Sequence, residues 1–218
     1  MSGRLIAVGD IHGCDAAFAA LLGAIAPQPT DRIILLGDLV DRGPDSRGVI
    51  DRILQLRATC QVDVILGNHE EMMLQVIDGR APEPWLNFGG VQTLDSYGFV
   101  GSLDVLPASH VELIRQAHDF VETERHFFTH ANYDPRQPLN KQTVAMLRWN
   151  RLDTHFPGPH ASGKIAVVGH TPDKGGEVFQ VKHLICLDTY CYGGGYLTAM
   201  DLGSGQTWQA HRDGTLRG

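Results

Sequence analysis

Five times along this chain a short run rich in Val, Ile, Leu or Phe stops abruptly at a polar residue. The runs are "RLIAVGD" ending at Asp10, "RIILLGD" at Asp38, "VDVILGN" at Asn68, "RHFFTH" at His130 and "KIAVVGH" at His170. Each has the length of a strand, and the unbroken apolar character points to sheets covered on their faces. The segments between and after the first three read as helices: "CDAAFAALLGAIA", halted by Pro27, "SRGVIDRILQLRA", and "EEMMLQVIDG", closing at Gly79. Strand–helix–strand alternation predicts parallel strands joined by right-handed crossovers. Ligands of such sheets sit at the carboxyl ends of the strands, so all five terminal residues are expected at one edge. Four of the five follow a glycine, which permits unusual backbone angles and close approach to a ligand. One Gly-Asp after a strand is an ordinary turn. Five such endings, all bearing oxygen or imidazole donors, are a pattern.

A chain of 218 residues is long enough for one well-buried core with a small insertion, and short for two full domains. Its formal charge of −7 argues against sequence-independent nucleic-acid binding, which rests on Lys and Arg neutralising phosphates. A bound metal would reverse the local sign and admit a small phosphorylated ligand. Cys14, Cys60, Cys186 and Cys191 are scattered and form no CxxC pair, as expected of reduced thiols. No apolar run is long enough to cross a bilayer, and "MSGRLIAVGD" shows no signal-peptide cleavage site. The expectation is a cytoplasmic enzyme or binding protein with no membrane or nucleic-acid partner.

Asp10 and His12 stand two residues apart at the first strand tip and can face one ion. With Asp38, Asn68, His130 and His170 they make six oxygen and nitrogen donors and no thiolate. That set suits Mn, Fe, Zn or Mg better than a closed structural zinc site. Six donors are generous for one ion and natural for two, provided one carboxylate bridges. Two ions can activate a water and clamp both ends of an in-line phosphoryl displacement.

In "GDIHG" (9–13), "GDLVDRG" (37–43), "GNHE" (67–70), "TH" (129–130) and "GHT" (169–171), the sequence resembles the PPP-type serine/threonine phosphoprotein phosphatases within the calcineurin-like metallophosphoesterases. The likeness runs from the first strand to beyond residue 170. "GNHEEMM", "WLNFGG" and "RWNR" (148–151) resemble its small bacterial and phage branch, of which the lambda phage protein phosphatase is an example. The resemblance implies one metal held by Asp10, His12 and Asp38. A second would be held by Asp38, Asn68, His130 and His170, with Asp38 bridging and Mn the most expected ion. It implies His69 as the general acid, Asp41 as its orienting partner, and Arg42 and Arg151 as phosphate clamps. The chemistry agrees. A serine alkoxide needs a proton as it leaves, a nearby carboxylate favours the charged imidazolium, and an arginine fork binds two phosphate oxygens at once.

The other residues read plainly. His110, His118 and His126 are expected as surface or packing residues, and His155 and His160 in a surface loop. His183 and His211 have no ligand-spaced partner. Glu70 is expected near a helix N-terminus in a structural role, with Met72 and Met73 in the core and Cys14 packed. "YCYGGGYLT" (190–198) reads as a tight turn, not a nucleotide loop. Tyr190 and Tyr192 could shape the cleft, since "LDT" (187–189) resembles the stretch after the last metal histidine in relatives. Those relatives usually carry Gly where Tyr190 stands. Residues from about 80 to 120 read as a mostly helical insertion over the active edge.

The expected fold is α/β over residues 1–218, a single metallophosphoesterase domain: the four-layer sandwich of two mixed β-sheets flanked by helices that the resemblance implies. The expected function is dinuclear-metal hydrolysis of phosphoserine and phosphothreonine monoesters, and phosphotyrosine as an extension, by direct attack of a metal-bound hydroxide. Its partners would be phosphorylated proteins or small phosphoesters. A symmetrical dinucleoside tetraphosphate hydrolase on the same constellation is the rival, and a silent metal- or phosphate-binding module a more distant one.

Overall fold

Alternating side chains decide how the apolar runs pack. The computed structural model describes residues 3–218; Met1 and Ser2, part of the N-terminal stretch read above for a signal peptide, lie outside the described residues. Strands β1 (Leu5–Val8), β2 (Arg32–Leu35) and β3 (Gln61–Val64) are joined by helices α1 (Asp15–Ile25) and α2 (Ser46–Leu56). Helices α3 (Asn68–Ile77), α4 (Glu83–Trp85), α5 (Val91–Ser96) and α6 (Ala108–Arg115) come next. Strands β4 (Val121–Glu122) and β5 (His126–Phe128), helix α7 (Val144–Arg148), and strands β6 (Ile165–Val168), β7 (Phe179–Val181) and β8 (Leu184–Cys186) follow. Strands β9 (Tyr196–Asp201) and β10 (Thr207–His211) complete the order.

The first sheet runs β10-β9-β1-β2-β3 and the second β4-β5-β6-β8-β7. Within them β1, β2 and β3 are parallel, as are β5, β6 and β8, while β9, β10, β4 and β7 pair antiparallel. Both sheets are therefore mixed, as the expected sandwich requires. Along β1, Ile6 and Val8 face the helices α1 and α2, while Ala7 faces the second sheet. Ile34, Leu36, Phe128, Val167 and Ile185 fill the space between the sheets. The far face of the second sheet, Phe127, Ala166 and Val168, is covered by Tyr133, Leu139 and Leu152. Each fully buried side chain of this kind contributes about 2 kcal/mol.

Local signals fix the element ends. Asp45 caps α2 by accepting the Gly48 N–H at 2.8 Å, and α1 stops at Ala26, in left-handed backbone just before Pro27. Helix α3 begins at Asn68, not at Glu70, because the Glu70 side chain reaches back to the Gly67 N–H at 3.1 Å. Asn68 and His69 thus sit on the first helical turn instead of on a strand extension. Residues 80–120 comprise α4, a π-helical turn at Leu86–Gly90, α5, a 3₁₀ turn at Leu103–Val105, and α6. His160, expected in a surface loop, is buried and bonded to Ser162 Oγ at 2.8 Å and the Gln137 carbonyl at 2.9 Å. No helix among the described residues is long and apolar enough to cross a membrane.

Candidate metal centre

Asp38 is the hub of the edge where the parallel strands end. The excursion after β2 runs through left-handed backbone at Asp38 (φ 49°), Asp41 (φ 71°) and Arg42 (φ 67°). Each such residue costs about 1–2 kcal/mol. The buried Glu70 carboxylate holds the turn by accepting N–H groups from Asp38 (2.8 Å), Leu39 (2.7 Å) and Val40 (3.2 Å). Burial and the Asp38 charge push the Glu70 carboxyl up to about 7, while its N–H donors favour the anion.

Backbone carbonyls set the tautomers of three imidazoles. His12 Nδ1–H donates to Val40 at 3.0 Å, His130 Nδ1–H to Leu36 at 2.7 Å, and His170 Nε2–H to Trp149 at 3.0 Å. Their other nitrogens keep the lone pairs that a metal ligand needs. Those lone pairs converge. His12 Nε2 lies 3.4 Å from Asp38 Oδ2, and His130 Nε2 lies 3.3 Å from Asp38 Oδ1. His130 Nε2 is also 3.0 Å from Asn68 Oδ1 and 3.2 Å from His170 Nδ1. Among the described residues two groups have donor atoms close enough to hold an ion, His12–Asp38–His69 and Asp38–His130–His170, and Asp38 belongs to both.

The electrostatics agree with the donor geometry. Burial pushes Asp10 well up, and Asp188 and Asp38 add to the effect. Burial likewise pushes Asp188 up to about 6. Burial alone would lower His130, yet Asp38 and Asp10 outweigh it and hold the imidazole up at about 10. A centre that crowds these carboxylates favours positive charge, which divalent cations would supply in place of protons. The oxygen and nitrogen donors, without sulfur, fit such ions.

Asp10, expected in the first ligand group, lies at the same buried centre, where its charge acts on Asp38 and His130. Its carboxylate accepts the His170 N–H at 3.0 and 3.2 Å, tying the first sheet's tip to the second's. Gly169 makes this possible, since a Cβ there would lie 2.0 Å from Asp10 Oδ1. His69, expected as the acid, stands in the ion-sized group instead. Its Nδ1–H donates to Asp41 Oδ2 at 2.7 Å, and its buried Nε2 has no hydrogen-bond partner among the described residues.

Asp41 is held from three sides. Trp85 Nε1–H donates to both carboxylate oxygens (3.0 and 2.9 Å), and Thr93 Oγ1–H donates to Oδ1 at 2.7 Å. Its own N–H donates to Ser46 Oγ at 3.1 Å and Thr93 Oγ1 at 2.9 Å. Burial pushes Asp41 up, against the opposing pull of His69, Thr93 and Trp85.

The two arginines diverge. Arg42 Nη1–H donates to His12 Nε2 at 2.9 Å, and the guanidinium lies 4.5 Å from the centre of the Tyr192 ring. Its N–H donates to the Gly89 carbonyl at 3.3 Å; Gly89 (φ 112°) admits no Cβ, which would approach Arg42 N to 2.7 Å. Arg151 pairs with Asp153, at 2.7 to 3.2 Å, while its charge still reaches His170, Asp188 and Tyr192. The Trp149 carbonyl of "RWNR" orients His170.

Four contributors escaped the sequence reading. Trp85 and Thr93 come from the 80–120 segment, where no residue carries a chemical signature in sequence. Glu70 does more than favour a helix dipole. Asp188 ends a sixth apolar run, "HLICLD", and the signal that marked the other five would have found it. Tyr190, where relatives usually carry Gly, has left-handed backbone (φ 64°), the conformation glycine adopts freely.

A family model for calcineurin-like phosphoesterases matches residues 3–199. The chain belongs to that family. Calcineurin-like phosphoesterases with similar sequence include the symmetrical bis(5'-nucleosyl)-tetraphosphatase of Acidovorax sp. (strain JS42), 46% identical over 76 residues, or 34% of this chain and 26% of that protein. The protein of the same name from Bordetella pertussis is 34% identical over 116 residues, or 51% of this chain and 41% of the relative. The chain thus spans well under half the length of these curated relatives. The crystal structure of a candidate diadenosine tetraphosphatase superposes with a TM-score of 0.72 at 24% identity, over 96% of this chain and 94% of that one. A cold-active protein-tyrosine phosphatase of Shewanella sp. superposes at 0.71 and 16% identity, over 100% of this chain and 80% of that one. At such identities the two superpositions speak to the fold. Both of these sequence relatives carry the tetraphosphatase name, not that of the phage-type protein phosphatases expected from the motifs.

Proposed function

We propose that this calcineurin-like phosphoesterase hydrolyses dinucleoside tetraphosphates symmetrically, giving two nucleoside diphosphates. The observation that carries this reading is the 34–46% identity to symmetrical bis(5'-nucleosyl)-tetraphosphatases. The phosphomonoesterase reading, toward which "GNHE" and "RWNR" lean, becomes the alternative.

In this reading Asp10, His12, Asp38, Asn68, His130 and His170 would hold two divalent cations, with Asp10 also bracing the His170 backbone. Bound there, the cations would neutralise phosphate charge and supply a water more acidic than bulk. Arg42, stacked on Tyr192, binds the non-bridging oxygens of a central phosphate. The oxygen of water bonds to that phosphorus, the central P–O–P linkage breaks, and its bridging oxygen departs with the other nucleoside diphosphate. His69 Nε2 has no hydrogen-bond partner among the described residues and is free to meet the departing oxygen, while Asp41 fixes the ring through Nδ1.

A diphosphate leaves with its charge already spread over oxygens, so it needs a proton less than an alkoxide does. The test compares the metal-loaded chain on diadenosine tetraphosphate and on a phosphoserine peptide, with products resolved by chromatography. ADP as the sole nucleotide product and the higher kcat/KM for the dinucleotide are expected. AMP with ATP, or a preference for the peptide, would overturn the reading.

A further inference from the structure

An apolar cavity of about 220 Å³ lies beside the metal centre, floored by Leu152 and Cys186 and walled by Phe156 and Phe179. The two phenyl rings meet edge to face, 5.8 Å apart at 89°. Phe156 is 52% and Phe179 43% exposed. Apolar side chains left in solvent around a concavity mark a ligand groove more often than a packing fault. The cavity shares a wall with the reaction centre, because the Leu152 N–H donates to Thr171 Oγ1 at 3.0 Å. That bond joins the residue after Arg151 to the residue after His170.

We propose that this cavity is a nucleoside site, taking the base of one half of a dinucleoside polyphosphate; the substrate identity rests on the reading above. Three features select that occupant. A cavity of about 150 Å³ already accepts a benzene ring, so 220 Å³ has room for a heteroaromatic base. Phe156 and Phe179 offer ring faces, on which bases stack irrespective of sequence. Asp153 and Asp173 also line the cavity; they repel phosphate and accept hydrogen bonds from exocyclic amines or ribose hydroxyls, as acidic residues do in dinucleotide sites. The phosphates are thereby directed to the centre and the neutral nucleoside to the cavity. Arg151 stands between them. Its solvent-exposed pair with Asp153 is weak, so an arriving phosphate draws the guanidinium away and frees Asp153 for the sugar.

The direct test uses adenosine, which carries no phosphate, titrated against the full-length chain by ligand-observed NMR. Phe156→Ala is expected to weaken adenosine binding roughly tenfold or more, and Phe179→Ala to do likewise. Phe156→Tyr, which keeps the ring, should restore binding. In steady-state assays of the metal-loaded chain, Phe156→Ala should raise KM for diadenosine tetraphosphate by a similar factor relative to a phosphoserine peptide. Equal adenosine affinity in wild type and Phe156→Ala, or no binding to either, would overturn the proposal. A KM rise confined to the peptide would assign the cavity to an apolar peptide side chain, and so also overturn it. The two readings fail separately. Ring-dependent adenosine binding without tetraphosphate cleavage would leave the cavity assigned and remove the reaction; cleavage indifferent to both rings would do the reverse.

Discussion

The two sheets bring their strand tips to the same edge in different ways. At the tips of the first sheet, Asp38, Asp41 and His69 are almost wholly buried, and His12, Asp38, Asp41 and Arg42 hold left-handed backbone. Glu70, Thr93, Ser46 and Trp85 lock that strain with hydrogen bonds. On the second sheet His130 is equally buried and His170 also holds left-handed backbone (φ 63°), but beyond them Arg151 is 42% exposed and pairs with an Asp153 that is 54% exposed. The first half is prebuilt for chemistry, where a misplacement of one ångström is expensive. The second half keeps loose charges and open aromatic rings, which suit recognition. Strain persists only where its surroundings over-determine it, and that condition is met at more positions on the first side; on the second, Asp10 and the Trp149 carbonyl hold His170.

The largest effect should come from removing what locks the first half. Glu70→Ala strands three N–H groups of the Asp38–Val40 turn and that of Gly67 without an acceptor, and is expected to cost about 3–5 kcal/mol in urea unfolding. Metal content measured by elemental analysis should fall with it. Asp153→Ala, on the other half, should cost less than about 0.5 kcal/mol, because its pair is solvent-exposed. Equal losses would erase the distinction between the halves.

Next in size are the catalytic substitutions. His69→Asn should lower kcat on a phosphoserine peptide by roughly 10²–10⁴-fold and on diadenosine tetraphosphate by less, with metal content near that of wild type. Asp41→Asn, acting through His69, should cost about 10–100-fold on the peptide. Loss of metal in His69→Asn would instead make His69 a ligand, as its place beside His12 and Asp38 permits.

These contrasts bear on what a sequence makes legible. The strand tips were readable because an apolar run that stops at a donor is a local signal, and β1, β2, β3, β5 and β6 carry it. The partition into two sheets was read only through the family resemblance, because pairing order is a long-range property. The locks were unreadable for the same reason. Thr93 is 52 residues from Asp41 and Trp85 is 44, and nothing local marks either as a partner. Asp188 was legible and overlooked, although "LIC" is as long as the β5 run "HFF". Arg151 illustrates the converse: its motif was plain, yet nothing in it foretold that the guanidinium would rest on Asp153.

The arginines give a smaller effect with the same logic. Arg42 is positioned by His12, Tyr192 and Gly89 before any substrate arrives, so Arg42→Ala should lower kcat/KM by about 10–100-fold, mostly through kcat. Arg151 must first leave Asp153, so part of its binding energy is spent on the exchange. Arg151→Ala should raise KM about three- to tenfold with kcat little changed. Initial-rate kinetics on diadenosine tetraphosphate at two ionic strengths would check both, and only the Arg151 contribution should shrink markedly with salt.

The smallest effect concerns the strand connection between the halves. Residues 187–195 carry the chain from β8 in the second sheet to β9 in the first, and within them Tyr190 adopts φ 64°. Tyr190→Gly would relieve about 1 kcal/mol of left-handed strain. It would also remove a ring that sits 4.9 Å from Tyr192 and lies against Gly193, and would add chain entropy to the unfolded state. These terms oppose one another, so the melting temperature should move by no more than a few degrees. Tyr192, however, loses its neighbour, and Tyr192 is what Arg42 stacks on. The expected signature is therefore kinetic: a KM for diadenosine tetraphosphate about two- to fivefold higher, at nearly constant stability. A large loss of stability with unchanged KM would mean that the tyrosine pair braces the connection and leaves the arginine untouched, making the first half rigid without help from the loop that joins it to the second.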